Sequence, residues 1–318
     1  MGKNKKKEER PARPTEPANT DYHLPVLLHE AIDSLNIDPG GIYVDCTFGG
    51  GGHSRAILNR LGPTGKLIAF DQDDDARKNL PEDERVLFIP HNFRHLQRFL
   101  RLHGISSVDG ILADLGVSSH QFDEGGRGFS TRFNAALDMR MDQRQETTAF
   151  DVVNTYTEER LHKLFEQYGE VTNAKTLARK IVASRATVSL RTIDDFKNAL
   201  REIVKGNPNK YFAQVFQALR IEVNDELGAL KEMLSQVPSL LNPGGRAAII
   251  TFHSLEDRLV KHFFRRGTFT EPETNPFSQS ETISELKIIT RKPVVPGEEE
   301  IRSNPRSRSA KLRVAEKI

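Results

Sequence analysis

Residues 43–58 read YVDCTFGGGGHSRAIL, in which a short apolar stretch ends at Asp45 and runs on to four consecutive glycines at 49–52. The apolar stretch is rich in β-forming residues and has no polar alternation, which is typical of a strand covered on both faces. The residues that follow, 53–62, have the pattern of a helix that ends at Gly62. A glycine-rich turn between a buried strand and a helix lets the backbone approach a ligand closely. The stretch therefore predicts a ligand-binding loop in an α/β domain.

Three further apolar runs, at 66–73, 86–93 and 108–116, have the same buried-strand character. Strands that alternate with helices predict a doubly wound α/β sheet. Asp71 lies near the ~20-residue offset at which an acid meets ribose hydroxyls in dinucleotide folds. A carboxylate there suits a free 2′,3′-diol and repels a 2′-phosphate, so we predict a nucleotide-type ligand. The alternative is that Asp71 caps a helix and the glycines only form a tight turn.

A different pattern occupies the middle of the chain, where residues from about 149 to 234 give only helical signals. Thr192 and Asp195, for example, are spaced like a capping box at the start of a helix. The strand pattern returns at 240–254, which predicts a helical insertion within an α/β domain. We predict three parts: a disordered basic tail at 1–21, an α/β domain at 22–145 and 226–318, and the helical insertion at 146–225.

Composition limits the class of protein. The chain has 318 residues, a net charge of +2 and one cysteine, Cys46. No apolar run is long enough for a membrane span, and the tail lacks the apolar core of a secretory signal. A single cysteine excludes an intrachain disulfide and fits a reducing cytoplasm. No cluster has metal-ligand spacing along the chain, so we predict no metal. For the basic tail, a solvated role is favoured over a nucleic-acid arm.

The glycine loop matches some ligand classes better than others. A P-loop ends in Gly-Lys-Ser/Thr, but Gly52 is followed by His53. A dinucleotide fingerprint needs glycine at position 54, where this chain has Ser54, so that match is degenerate. The spacing Asp-x-Thr-x-Gly-x-Gly that starts at Asp45 instead resembles the first motif of class I methyltransferases, and an NPGGR turn at 242–246 fits the same fold.

Longer strings are more specific. The following occur in this order between residues 24 and 313: LPVLLHEAI, YVDCTFGGGGHS, DGILADLGVSSHQFD, RGFS, LDMRMD, FQALRIEVNDEL, TFHSLEDR and NPRSRSAKLR. Together they resemble the bacterial ribosomal RNA small subunit methyltransferase H family, also called MraW. The resemblance implies a class I S-adenosylmethionine-dependent methyltransferase with a helical insertion. It also implies methylation of the N4 amino group of a cytidine in the decoding centre of 16S rRNA.

The resemblance implies a set of cofactor-binding residues around the glycine loop and the neighbouring strand ends. These are Gly51, Gly52, His53, Asp71, Phe93, Asp114 and Gln121. An aromatic ring at Phe93 suits adenine, and carboxylates suit hydroxyl or amino groups. Two alternatives stay open, namely that Phe93 belongs to the core and that His53 caps the helix.

The catalytic residues are harder to predict. Methylation at C5 of cytosine needs a cysteine thiolate, and Cys46, beside the cofactor strand, is poorly placed, so an exocyclic nitrogen or a ribose oxygen is the favoured acceptor. Many DNA amino-methyltransferases carry an Asn/Asp/Ser-Pro-Pro-aromatic motif after the fourth strand, but residues 114–119 lack the prolines and the aromatic. We predict Asp114 as the proton acceptor with Ser118 and Ser119 as helpers. A cofactor-only role for Asp114 stays open.

The RNA contacts predicted from the resemblance and from clustered charge are Arg127, Phe129, Arg140, Lys175, Arg179, Arg306 and Arg308. The loop at 125–142 mixes arginines with phenylalanines, which suits stacking of a splayed base beside bound phosphates. Its alternative is a lid whose phenylalanines are core, and for the insertion the alternative is a solvated basic face.

The sequence therefore predicts a cytoplasmic rRNA cytosine-N4 methyltransferase whose partner is 16S rRNA in the small ribosomal subunit. Two rival functions are an NAD-linked dehydrogenase on the same fold and a non-catalytic ribosome-assembly factor. The oligomeric state is left open, a dimer included.

Overall fold

Seven strands form one mixed sheet in a computed structural model that describes residues 25–269 and 284–318. In chain order they are β1 (Ile42–Asp45), β2 (Lys66–Phe70), β3 (Val86–Ile89), β4 (Val108–Asp114), β5 (Leu241–Thr251), β6 (Leu286–Ile288) and β7 (Lys311–Lys317). Their spatial order is β3-β2-β1-β4-β5-β7-β6. Strands β1 to β5 are parallel, and β7 runs antiparallel to both of its neighbours. The direction of winding reverses between β1 and β4, where doubly wound sheets bind ligands.

Twelve α-helices lie within the described ranges. They are α1 (Leu28–Ser34), α2 (Gly52–Leu58), α3 (Leu96–Leu102), α4 (Ser119–Asp123), α5 (Ala149–Thr155), α6 (Glu158–Gln167), α7 (Ala174–Arg185), α8 (Ile193–Leu200), α9 (Pro208–Asn224), α10 (Glu226–Leu240), α11 (Ser254–Arg266) and α12 (Glu298–Ser303). The predicted capping box is confirmed at α8, since the Thr192 hydroxyl accepts from the Asp195 N–H at 3.2 Å and the Asp195 carboxylate accepts from the Thr192 N–H at 3.0 Å. In the described ranges no helix is both long and apolar enough to cross a membrane.

The sheet is covered on both faces, as the continuous apolar strands predicted. Val44, Ile68 and Ile111 lie side by side on one face, against α3, α10 and α11. Neighbouring residues such as Tyr43 and Leu67 point to the other face, against α1 and α2. The predicted α/β fold with a helical insertion is confirmed.

The helices between β4 and β5 build a separate hydrophobic cluster. Its buried residues run from Phe129 to Val223 and come mainly from α5 to α9. Helix α9 ends at Asn224, and Asp225, with φ of 46°, turns the chain into α10, which packs on the sheet. The boundaries predicted at 146 and 225 remain a proposal, to which this separate cluster gives support.

Two features of the sheet were not predicted. The string NPRSRSAKLR, which contains the predicted RNA contacts Arg306 and Arg308, ends in β7, beside β5. Arg313 is buried there, and its Nε donates to Asp257 Oδ1 at 2.6 Å. The predicted turn at 242–246 lies inside β5, as an irregularity between the pairings Val108–Leu241 and Gly110–Arg246.

Candidate active site

A cleft of about 910 Å³ opens at the carboxyl ends of the parallel strands. Its lining includes residues that follow each of the five parallel strands: Thr47 after β1, Asp71 after β2, Phe93 after β3, Asp114 at the end of β4, and Phe252 after β5. The cleft is thus at the topological switch point, where a ligand can reach the ends of several strands at once.

The glycine loop needs its glycines for two reasons. Gly49 and Gly51 have φ of 50° and 73°, a backbone region that other residues rarely adopt. At Gly52 a Cβ would overlap Cγ of Pro25, so the chain before α1 packs directly on the loop. The loop therefore presents backbone to the cleft at the start of α2.

Asp45 organises this loop from inside the protein. It is fully buried and accepts hydrogen bonds from the Thr47 N–H at 3.0 Å and the Ser54 hydroxyl at 2.7 Å. The Thr47 hydroxyl in turn accepts from the Asp114 N–H at 2.7 Å. These bonds tie the end of β1 to the end of β4 and fix the position of Asp114.

Asp71 holds the loop from the other side and faces the cleft. Its carboxylate accepts from the Gly49 N–H at 2.7 Å and from the Asp73 N–H at 2.9 Å. Burial raises the pKa of Asp71 to about 7, although both backbone donors act against the shift. Asp71 therefore changes charge near neutral pH.

His53 and Asp114 meet at the centre of the cleft, where His53 Nδ1 lies 3.8 Å from Asp114 Oδ2. His53 Nε2 lies 3.1 Å from the Val26 carbonyl, so the neutral ring carries its proton there and turns Nδ1 to Asp114. The alternative that His53 caps α2 is wrong, because α2 has no side-chain cap. Burial lowers the pKa of His53 and raises that of Asp114 well above its usual value, with the charges of Asp45 and Glu256 adding to the Asp114 shift. Within the described residues, Asp114 Oδ1 has no hydrogen-bond partner.

Gln121 and Ser118 line the cleft but use their side chains to shape α4. Ser118 Oγ accepts from the Gln121 N–H at 3.2 Å, and Gln121 Oε1 accepts from the Ser118 N–H at 3.1 Å. Gln121 Nε2 also donates to Asp73 Oδ2 at 2.6 Å. Ser118 is therefore a helix cap as well as a lining residue. The side chain of Ser119, at the start of α4, lies outside the described part of the structure.

Two residues expected to contact RNA are structural instead. Arg127 forms a buried ion pair with Asp73, and its Nη2 donates to the carbonyls of Arg140 and Met141 at 2.8 and 2.9 Å. Phe129 is 6% exposed within the helical cluster. The prediction that Arg127 and Phe129 offer a stacking and phosphate-binding surface is corrected, since neither presents a free face here.

The other predicted RNA residues are more accessible. Arg140 is about a quarter exposed and pairs with Asp138 at 2.7 Å. Lys175 and Arg179 are exposed on α7, and Arg308 is exposed beyond α12. Arg306 lines the cleft, where it pairs with Asp123 and lies over the Phe122 ring at 5.1 Å.

The structure also brings acidic residues and histidines together that are distant in sequence. Asp75, His120 and Glu124 form one such group, and Glu226, His253 and Glu256 another. In the second group Glu226 is already engaged by Arg220 in a two-bonded ion pair at 2.7 and 2.9 Å, and Glu256 by His253 at 3.2 Å. The absence of a metal remains a prediction. Phe252 and Glu256, which lie in the TFHSLEDR string, were missed as site residues because only the pairing of β4 with β5 places them at the cleft.

Comparisons with known proteins agree with this geometry. A family model described as the MraW methylase family matches residues 20–318. A protein from Azobacteroides pseudotrichonymphae named "Ribosomal RNA small subunit methyltransferase H" is 54% identical over 298 residues, which cover 93% of this chain and 98% of that protein. A protein of the same name from Flavobacterium johnsoniae is 54% identical over 304 residues, covering 94% and 98%.

Among solved structures, an rRNA methylase from Streptococcus thermophilus has a TM-score of 0.40 at 12% identity, covering 93% of this chain and 99% of that chain. Fibrillarin from Aeropyrum pernix with bound S-adenosylmethionine has a TM-score of 0.38 at 10% identity, covering 90% of this chain and 73% of that chain. The family match spans nearly the whole chain, and the cleft has the glycine loop and strand-end acids that its motifs predicted. The chain belongs to the MraW methylase family, its fold is that of class I methyltransferases, and S-adenosylmethionine is its methyl donor.

Proposed function

We propose that the protein methylates the N4 amino group of a cytidine in the decoding centre of 16S rRNA, within the small ribosomal subunit. The names of its relatives support small-subunit rRNA as the substrate. The observation that carries the choice of acceptor atom is Asp114, a carboxyl at the centre of the cleft with one oxygen that lacks a partner among the described residues. An exocyclic amine donates hydrogen bonds to a carboxylate and can give up a proton to it.

The cofactor would be held by the strand ends in a fixed order along the cleft. Phe93 would pack on the adenine and Asp71 would accept from the ribose hydroxyls. The loop at Gly51, Gly52 and His53 would surround the methionine part. Because β4 lies next to β1 in the sheet, Asp114 would then lie beside the methionine part of the cofactor. Gln121 would support the adenine side through its bond to Asp73.

S-adenosylmethionine supplies a methyl group on a sulfonium, and the sulfur keeps the electron pair when that bond breaks. The N4 lone pair is delocalised into the pyrimidine ring, so the protein must align the amine and accept its proton. Asp114 would do both, by accepting a hydrogen bond from N4 and then the proton that N4 loses. His53 Nδ1, which carries no proton in the neutral ring, lies 3.8 Å from Asp114 Oδ2 and faces the carboxyl that would take the proton. Alignment of this kind contributes much of the rate in group transfers.

The location of the methyl group tests the substrate. Purified protein and labelled S-adenosylmethionine would be added to small subunits from a strain that lacks the modification. We expect label in a single rRNA fragment from the decoding centre after nuclease digestion. Label elsewhere would contradict the proposed position. Absence of label on subunits and on naked rRNA, with cofactor binding intact, would favour the non-catalytic assembly factor.

The titration of Asp71 gives a second prediction. Burial raises its pKa to about 7, and hydroxyl donors stabilise the ionised form, so cofactor binding should expel a proton. The affinity for S-adenosylmethionine should therefore rise by up to about tenfold per pH unit below neutrality and level off above it. Asp71→Asn should weaken binding by roughly 10- to 100-fold at high pH and flatten this profile. Calorimetric titration across neutral pH measures both, and an unchanged profile in the variant would exclude Asp71 as the titrating group.

The helical insertion would hold the RNA backbone through its exposed basic side chains on α7. Affinity for RNA falls as salt rises. If Lys175 and Arg179 each neutralise a phosphate, removing both should make the plot of log affinity against log salt less steep, by roughly 1.5 to 2 in slope. The double variant Lys175→Ala/Arg179→Ala should raise KM for subunits at moderate salt and leave kcat unchanged. The matched control, Arg60→Ala/Lys66→Ala, removes two exposed cations outside the helical insertion, with Lys66 at the start of β2. Equal slopes for both double variants would contradict the assignment.

A further inference from the structure

Phe252 is an aromatic residue that lines the cleft and has no role in the proposed binding of the cofactor. It follows β5 directly, is partly exposed and lines the cleft. Strand β5 lies parallel to β4, with Asp114 paired to Ile250, and the Leu115 N–H donates to the Ile250 carbonyl at 3.0 Å. The ring of Phe252 therefore lies beside the segment that follows Asp114.

The residue next to this ring is a glycine, Gly116. Gly116 has φ of 94°, and a Cβ built on it would lie 3.7 Å from Cδ2 of Phe252. The backbone after β4 thus passes the edge of the ring at van der Waals distance, and both residues line the cleft. A larger side chain at position 116 would be strained at this φ and would pack against the ring.

The position of Phe252 is held by a buried carboxylate. Glu256 Oε2 accepts from the Phe252 N–H at 2.8 Å, and Glu256 is 2% exposed. Its burial favours the neutral acid, but the charge and hydrogen bond of His253 together with the Phe252 N–H outweigh this and lower the pKa of Glu256. The carboxylate is therefore charged and accepts strongly, which fixes the backbone that carries the ring.

The other phenylalanines that line the cleft are not placed to stack a base beside Asp114. Phe48 is 2% exposed and packs edge-on against Phe88 at a centroid distance of 5.7 Å. Phe93 follows β3, at the far end of the sheet order from β5. Within the described lining, this leaves Phe252 as the phenylalanine next to Asp114.

We propose that Phe252 is the surface on which the pyrimidine ring of the target nucleotide stacks, with its exocyclic amine turned to Asp114. This inference rests on the proposed function and assigns the base-binding residue of that site. The segment after β4 lacks the aromatic residue that many DNA amino-methyltransferases carry there, and Phe252 supplies an aromatic ring beside that segment from the neighbouring strand. Stacking on such a ring is tolerant of sequence and orients the base without contacting its edge.

The test compares Phe252→Leu, Phe252→Tyr and the control Phe269→Leu, which removes a ring stacked on Phe263 outside the cleft lining. We expect Phe252→Leu to lower kcat/KM for small subunits by roughly 5- to 150-fold, the range that corresponds to loss of one base stack. The dissociation constant for S-adenosylmethionine and the melting temperature should stay at the wild-type values. Phe252→Tyr should restore most of the activity, because it restores the ring.

Two results would overturn the inference while leaving the proposed function intact. One is a wild type that forms N4-methylcytidine together with a Phe252→Leu variant of equal kcat/KM. The other is loss of activity in Phe252→Leu that the tyrosine variant fails to rescue and that Phe269→Leu shares, which would mark a general effect on α11. A wild type that forms a different product would contradict the proposed function itself.

Discussion

Replacing Asp114 with asparagine is expected to lower the rate of methyl transfer by roughly 100- to 10,000-fold, the usual contribution of a positioned proton acceptor. Asparagine keeps the size of the side chain and can still accept a hydrogen bond from N4, but it cannot take the proton. Because burial raises the pKa of Asp114 well above its usual value, the wild-type rate should rise with pH above the range in which a carboxyl ordinarily titrates, as the carboxyl ionises. The asparagine variant should lose that rise. Single-turnover rates with saturating cofactor measure both effects.

The control for this prediction is Asp74→Asn, an exposed acid outside the lining of the cleft, which should leave the rate unchanged. Stability supplies a second check. A buried acid whose pKa is raised in the folded state binds a proton more tightly there than in the unfolded chain, so its contribution to stability falls as pH rises towards the folded pKa. Asp114→Asn should therefore not lower the melting temperature. A variant that weakens cofactor binding strongly and keeps its rate at saturation would show that Asp114 serves only the cofactor.

Arg127→Met is expected to destabilise the protein by about 3–5 kcal/mol, because it leaves the carboxylate of Asp73 buried without its ion-pair partner. The side chains of Arg127 and Asp73 are 11% and 7% exposed, so water cannot replace the lost guanidinium. The two carbonyls that Arg127 Nη2 bridges also lose a donor. Denaturant unfolding should show the loss as a lower midpoint.

The comparison variant is Arg302→Met, which removes an exposed pair with Glu298 on α12. Exposed pairs within a helix contribute about 0.3–0.5 kcal/mol, so this variant should unfold close to the wild type. If Arg127→Met also unfolds like the wild type and loses only its affinity for RNA, the interpretation of Arg127 as a structural residue would be wrong.

Local patterns in the sequence predicted much of the fold. The apolar run before the glycines and the similar runs ending near Asp71 and Asp114 are buried strands, because only strands covered on both faces tolerate such continuous apolar character. The Thr192 capping box is visible because its two partners are three residues apart. Asp71, His53 and Phe93 line the cleft because each follows one of the parallel strands, whose carboxyl ends meet there.

The errors concern interactions between distant segments. Arg127 lies 54 positions from Asp73, and nothing in its neighbourhood marks it as buried. Strand β7 was not predicted because residues 303–313 include several basic residues, which are typical of a surface segment. Arg313 is buried because Asp257 faces it, and that contact is not visible in the sequence. Phe252 lies beside Asp114 because β5 pairs with β4. Sequence spacing predicts neighbours along the chain, whereas these contacts depend on the completed sheet.

We propose that this cleft transfers a methyl group to the N4 atom of cytidine. To test this, small subunits that lack the modification would be methylated with labelled S-adenosylmethionine, and their rRNA digested to nucleosides and analysed by mass spectrometry. We expect label in N4-methylcytidine, strongly reduced with Asp114→Asn and unchanged with Asp74→Asn. Label in 5-methylcytidine or in a ribose-methylated nucleoside would contradict this proposal.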